Sequence, residues 1–233
     1  MNKRLSRILF VSGGAAAVIA LSAGAGFAAT WSISPAGNFI GSLNAGTTTS
    51  LKDTTSGVTL SCAKASSNGN VPKAGHGLSG NGIATITKVT FGTSSVKCTG
   101  PAGSTFTAVG LNLPWKLNAV SYKASVDGGQ TTGTITAAGT GVGGKITGTV
   151  LGVSCSATIG GTKAAPAKAS GLYDNKSHLL AITKVTNLKV LSSNCPTVNV
   201  GDGSTFITAP ASKAGKAVSH GYLIAPGIKI TSP

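Results

Sequence analysis

The chain carries the same text twice, and each copy is bounded by a pair of cysteines. The first copy runs from Gly57-Val-Thr-Leu-Ser-Cys62 through Ile86-Thr-Lys-Val-Thr90 to Cys98 and then Gly103-Ser-Thr-Phe106. The second runs from Gly152-Val-Ser-Cys155 through Ile182-Thr-Lys-Val-Thr186 to Cys195 and then Gly203-Ser-Thr-Phe206. A repeated unit with its own cysteine pair implies a stapled scaffold made of two related halves. It constrains architecture and says nothing about chemistry.

The beginning of the chain sets the expected compartment. Lys3, Arg4 and Arg7 precede an apolar stretch from Ile8 to Ala20, and small residues follow through Ala29. That order predicts a secretory leader over residues 1–28, cut after Ala28 or after Ala25. The stretch is short and Gly-broken for a membrane-spanning helix. No later segment is apolar enough to cross as one. In an exported chain, four cysteines are expected to be oxidised. Four thiols allow three connectivities, and the repeat selects Cys62 with Cys98 and Cys155 with Cys195. The spacing lacks the close Cys pairs of a zinc site.

Short runs of period two recur between turn residues. Val58, Leu60 and Cys62 share one face of a run, as do Val153, Cys155 and Ala157. Residues 105–109, 144–150 and 227–231 repeat the alternation, with turns at Ser67-Asn-Gly-Asn70, Asp127-Gly-Gly129 and Asp202-Gly203 between such runs. The prediction is an all-β sandwich or barrel built from two disulfide-stapled repeats. After the leader, residues 29–233 form one β domain with halves of approximately 30–120 and 121–233. The apolar stretch from Leu111 to Val126 joins the halves and is expected to be buried rather than flexible. Trp31 and Trp115 are expected to anchor the core or the contact between sheets, with ligand stacking as the alternative.

Beyond the leader the chain has sixteen Lys, no Arg, no Glu and four Asp, a net charge of about +12. Such a surface attracts anionic polymers. Specific nucleic-acid recognition draws on Arg forks and stacked aromatics, and the chain has few of either. Singly spaced lysines also protect sheet edges from aggregation.

Catalytic constellations are sparse. Glycoside hydrolysis would need two of Asp53, Asp127, Asp174 and Asp202 to converge. His76, His178 and His220 have no metal-ligand spacing. His76-Gly-Leu-Ser79-Gly80 is an imperfect nucleophile elbow, since Asn81 stands where glycine is required. Gly139-Thr-Gly-Val-Gly-Gly-Lys145 fails as a phosphate loop at Ile146, and it reads as a hairpin connection. No catalytic, cofactor or metal residue is assigned.

The strand Val58 to Cys62, the run Ile86 to Phe91, Cys98 and the step Leu113-Pro-Trp115 resemble uncharacterised small secreted proteins of high-GC Gram-positive bacteria. More remotely, they are similar to the exported, biofilm-associated alkane oxidation activators of pseudomonads. The second copy departs at Asn187, which replaces Phe91, and lacks the Leu-Pro-Trp step. The resemblance implies an exported β-rich envelope or matrix protein, with no active site to carry over.

The expectation is therefore a secreted, non-enzymatic protein that docks on anionic cell-envelope or matrix polymers through its lysines. Its rival is a carrier of an apolar small molecule in a barrel mouth or sandwich cleft. A scaffold would be filled solid, whereas a carrier would hold a sizeable apolar pocket. A secreted hydrolase is the second alternative. A membrane pore would need longer lipid-facing rows than the lysines leave.

Overall fold

The computed structural model describes residues 30–196 and 198–232. The expected leader lies outside them. Nineteen strands and a single short 3-10 turn (Pro101–Gly103) make up the regular structure, with no α-helix among the described residues. The first ten are β1 (Trp31–Ser34), β2 (Gly37–Leu43), β3 (Thr48–Asp53), β4 (Thr59–Cys62), β5 (Ala65–Val71), β6 (Gly75–Leu78), β7 (Ala84–Phe91), β8 (Cys98–Thr99), β9 (Thr105–Leu111) and β10 (Trp115–Lys123). The remainder are β11 (Gln130–Thr136), β12 (Gly143–Val150), β13 (Val153–Gly160), β14 (Lys168–Asp174), β15 (Leu179–Thr186), β16 (Lys189–Ser193), β17 (Ser204–Ala209), β18 (Tyr222–Ala225) and β19 (Lys229–Thr231). The all-β expectation holds, and the architecture is a barrel with a second ring of strands.

Eight strands close the first barrel in the order β2-β5-β7-β10-β11-β14-β15-β18, with β18 returning to β2. The other eight follow one another as β17-β3-β4-β8-β9-β12-β13-β16. A bridge between Lys189 and Gly203 brings β16 back to the approach of β17, reinforced by Val190 N–H to Asp202 O and Ser204 N–H to Leu188 O. The second set is thus a ring as well. The walls meet where β7 pairs β9 at Thr90–Val109 and Phe91–Ala108.

Each half of the chain feeds both barrels in the same order. Strands β2, β5, β7 and β10 go to the first barrel, as β11, β14, β15 and β18 do. Strands β3, β4, β8 and β9 go to the second, as β12, β13, β16 and β17 do. Neither half closes a barrel alone. The two Ile-Thr-Lys-Val-Thr runs sit in β7 and β15, and both carry a bulge at the same threonine. The β5–β7 ladder skips Thr87 opposite Asn68 and Gly69, and the β14–β15 ladder skips Thr183 opposite Ser170 and Gly171. Each skipped threonine hydroxyl donates to the facing carbonyl, Thr87 to Asn68 at 3.3 Å and Thr183 to Ser170 at 3.2 Å. Ile86 and Ile182 are both in the core.

Strands β19, β1 and β6 form a small antiparallel sheet whose Trp31, Ile33 and Ile230 belong to the core of the first barrel. This sheet is its cap. Asn175 ties it down by donating from Nδ2 to Ile230 O and accepting Ile230 N–H. The Tyr173 hydroxyl likewise donates to Ile228 O and accepts from Ile228 N–H. The apolar junction after Leu111 becomes β10, half-buried rather than fully so. The Trp115 indole N–H donates to Leu111 O at 2.7 Å.

Both staples form with the expected connectivity, Cys62–Cys98 at a Cα separation of 4.2 Å and Cys155–Cys195 at 4.8 Å. The ladder registers Ser61–Thr99 and Ala157–Ser193 place each cystine between directly opposed residues of antiparallel neighbours. Cα atoms of non-hydrogen-bonded pairs already stand about 4.5 Å apart, so the bridge needs little rearrangement. Each disulfide joins residues of its own repeat, Cys195 lying just past the end of β16, and both lie in the second barrel.

Candidate functional site: the open mouth of the second barrel

The two barrels are filled differently. Trp31, Phe39, Ile86, Tyr173, Ile182 and Tyr222 pack the first, leaving a void of about 50 Å³. The Phe39 ring lies over Gly69, directly opposite on β5, where a Cβ would meet it at 2.1 Å. In the second barrel Phe106 does the same over Gly148, at 2.3 Å. Elsewhere the second interior is lined by small groups, among them Ala157, Ala108, Ser104 and Ser204. Small residues on opposed walls cannot meet across a ring of eight strands. What remains is a cavity of about 470 Å³, bounded by Leu51, Leu60, Phe106, Ile146, Ile159 and Val190 and open at one end. A further void of about 100 Å³ lies deeper, toward the first barrel.

The rim is apolar and partly strained. Val150 and Val153 face each other across a two-residue turn whose residues, Leu151 (φ 50°) and Gly152 (φ 81°), are both left-handed. Such turns favour Asn, Asp or Gly at the first position. Leucine there is a conformational outlier, of the kind that marks functional segments. Leu151 lines the cavity yet is 74% exposed. Pro101, Ala102, Pro196 and Val198 complete the apolar surround.

One carboxylate is set into this wall. Asp53 ends β3 on the inward-facing row of Thr49 and Leu51 and is only 6% exposed. Its Oδ1 accepts the N–H groups of Thr55 at 2.8 Å and Ser56 at 3.0 Å, closing the β3–β4 turn. Its Oδ2 is buried and has no hydrogen-bond partner. Burial pushes the Asp53 pKa up, but the N–H groups of Ser56 and Thr55, the Ser56 hydroxyl and the Asp202 side chain together bring it below the ordinary value.

Two of the four aspartates therefore converge, as a paired-carboxylate mechanism would require. A general acid needs a raised pKa, and that of Asp53 is lowered. Asp127 pairs with Lys176 at the surface, and Asp174 is held in its own turn. Among the described residues no group of three or more His, Cys, Asp or Glu could hold a metal ion.

The histidines stay apart. His76 Nδ1 meets the Ser32 hydroxyl at 2.6 Å on the cap sheet, beside a groove of about 250 Å³ that Lys229 also lines. No carboxylate lines that groove to orient the imidazole, as a triad would need. Ser79 bonds only its local turn, at Asn81 N–H, among the described contacts. His178 contacts the Tyr173 hydroxyl and His220 its neighbour Ser219. The glycine-rich segment 139–145 is not a hairpin connection. It carries the chain from β11 in the first barrel to β12 in the second, and those strands do not pair. The reason is the alternation of barrels within each half, which the local turn signal does not record.

Sequence reasoning assigned neither Asp53 nor Leu151 to a site. Asp53 follows Thr49 and Leu51 at period two, which was the available signal that it faces inward. All sixteen lysines beyond the leader are exposed. Among the described residues no helix is long and apolar enough to cross a membrane. No family model matches the chain, and neither a curated protein nor a solved structure shows significant similarity to it.

Proposed function

We propose that the protein is an exported, non-enzymatic carrier that holds an apolar small molecule in the mouth of the second barrel. The observation that supports this most is the contrast in filling. The cavity of about 470 Å³ falls within the range of ligand sites and is almost wholly apolar, while the first barrel is packed. Export fits the two disulfides, which persist outside the reducing cytosol. Nile red, a neutral dye that brightens in apolar surroundings, tests the reading. The oxidised protein should take it up in a saturable way, and Ala157→Phe or Val198→Phe should abolish uptake with unchanged melting. Dye binding that neither substitution affects, or turnover of an ester or polysaccharide, would replace this reading.

The lysine surface supports a second role, docking of the loaded carrier on anionic envelope or matrix polymers. Only Lys176 has an acidic partner among the described residues. Such docking should weaken steeply as salt shortens the Debye length from ~10 Å at 0.1 M to ~3 Å at 1 M. Retention on cell-wall fractions that survives 1 M salt would speak against it.

A further inference from the structure

We infer that the molecule carried by the second barrel is apolar at one end and a protonated amine at the other, with the Asp53 carboxylate as the anchor for the amine. The inference rests on the carrier reading above and specifies its ligand. Asp53 is nine-tenths buried on the inward row of β3, and Oδ2 is the one buried side-chain acceptor of the cavity lining that lacks a partner among the described residues. An ionised carboxylate oxygen held away from water and left unpaired is costly. A donor entering along the apolar wall relieves that cost.

The charge distribution narrows the donor. None of the sixteen lysines lines the cavity, and segments 54–58, 100–104, 150–153, 194–196 and 198–203, which supply its rim, contain no lysine at all. The chain beyond the expected leader carries about +12, yet this apolar opening has an acidic group in its wall. A hydroxyl would satisfy Oδ2 but leave the charge uncompensated. A divalent cation would need more oxygen ligands than two carboxylates supply. An ammonium provides donors and charge together, and such charge-assisted bonds are roughly twice as strong as neutral ones. A carboxylate-headed amphiphile would be drawn to the outer surface yet repelled at the wall. Head-group preference therefore separates the cavity from non-specific attraction.

The test displaces Nile red from the exported, oxidised protein with decylamine, decanol and decanoate at pH 7. Decylamine should act at about tenfold lower concentration than decanol, the effect of one hydrogen bond to a charged group. Decanoate should be weakest. Asp53→Asn keeps an acceptor for the Thr55 and Ser56 N–H groups, so the fold and Nile red uptake should survive while amine and alcohol become equal. Equal action of amine and alcohol on the unaltered protein would overturn the anchor and leave the carrier standing. So would an amine preference that persists in Asp53→Asn. Absence of any Nile red uptake would overturn the carrier reading and the anchor with it.

Discussion

Asp174 and Asp53 sit at the ends of equivalent-looking turns in the two barrels, and they end differently. In each, Oδ1 accepts the backbone N–H groups two and three residues on. Asp174 Oδ2 also accepts Val218 N–H, so that carboxylate is satisfied on the first-barrel side. Asp53 Oδ2 has no hydrogen-bond partner among the described residues. A second contrast lies in what closes each barrel. The first closes on large side chains and a cap sheet, whereas the second closes on two cystines and leaves its mouth open. A barrel whose interior is filled needs no covalent help. One that keeps a cavity gives up the packing that would hold it, and cross-strand disulfides replace that packing without occupying the space.

The largest effect should follow from removing the staples. Loops of 36 and 40 residues each imply about 4 kcal/mol of stabilisation in the loop-entropy account. Reduction, or Cys→Ser at both pairs, should expose amides of β4, β8, β13 and β16 to hydrogen exchange before those of β14 and β15. Simultaneous loss of protection in both barrels would show that the two do not differ as argued. The opposite experiment is Trp31→Ala, which removes the largest side chain of the cap. It should cost about 3–5 kcal/mol, the usual penalty for a buried tryptophan, while leaving Nile red uptake intact wherever the protein remains folded. Loss of dye from folded Trp31→Ala would mean that the dye occupies the first barrel instead.

A smaller effect separates stability from function within the open barrel. Leu151 holds a left-handed conformation that suits asparagine better, at a cost on the order of 1 kcal/mol. Leu151→Asn should therefore raise the melting temperature slightly while weakening dye retention, because it removes the exposed apolar rim of the cavity. A variant that gains both stability and affinity would show that the leucine serves neither purpose.

What could be read from the residues follows from which forces are local. Alternation and turn chemistry are local, so the all-β class was legible, and the repeat supplied the cystine pairing from equivalence alone. The barrels were not legible, because consecutive strands such as β11 and β12 belong to different rings and their partners lie far along the chain. The segment 139–145 looked like a hairpin for this reason. The cavity was hidden for another: emptiness depends on which small residues come together around one space, as Ala157 and Ser204 do. No window of sequence shows that. Asp53 was weighed as half of a catalytic pair, and the pair did converge. Its apolar surroundings were not legible, because they come from strands far along the chain.

The smallest expected effect concerns acid. An unfolded aspartate titrates near ~3.9, and the turn N–H groups hold folded Asp53 below its ordinary value despite burial. A carboxyl depressed on folding adds stability that is fully present above the unfolded pKa and is lost as the pH falls through the folded one. The contribution of Asp53 should therefore be constant from neutral pH to about 4 and vanish only below that. Urea midpoints measured from pH 7 to pH 2 should show a steeper acid decline for the native chain than for Asp53→Asn, with Asp202→Asn run beside them because the two acids adjoin. Amine binding should follow the same window, flat to about pH 4 and falling below, since the anchor must be ionised. Identical acid profiles for the native chain and Asp53→Asn would mean that the turn, and not the charge, is all that Asp53 contributes.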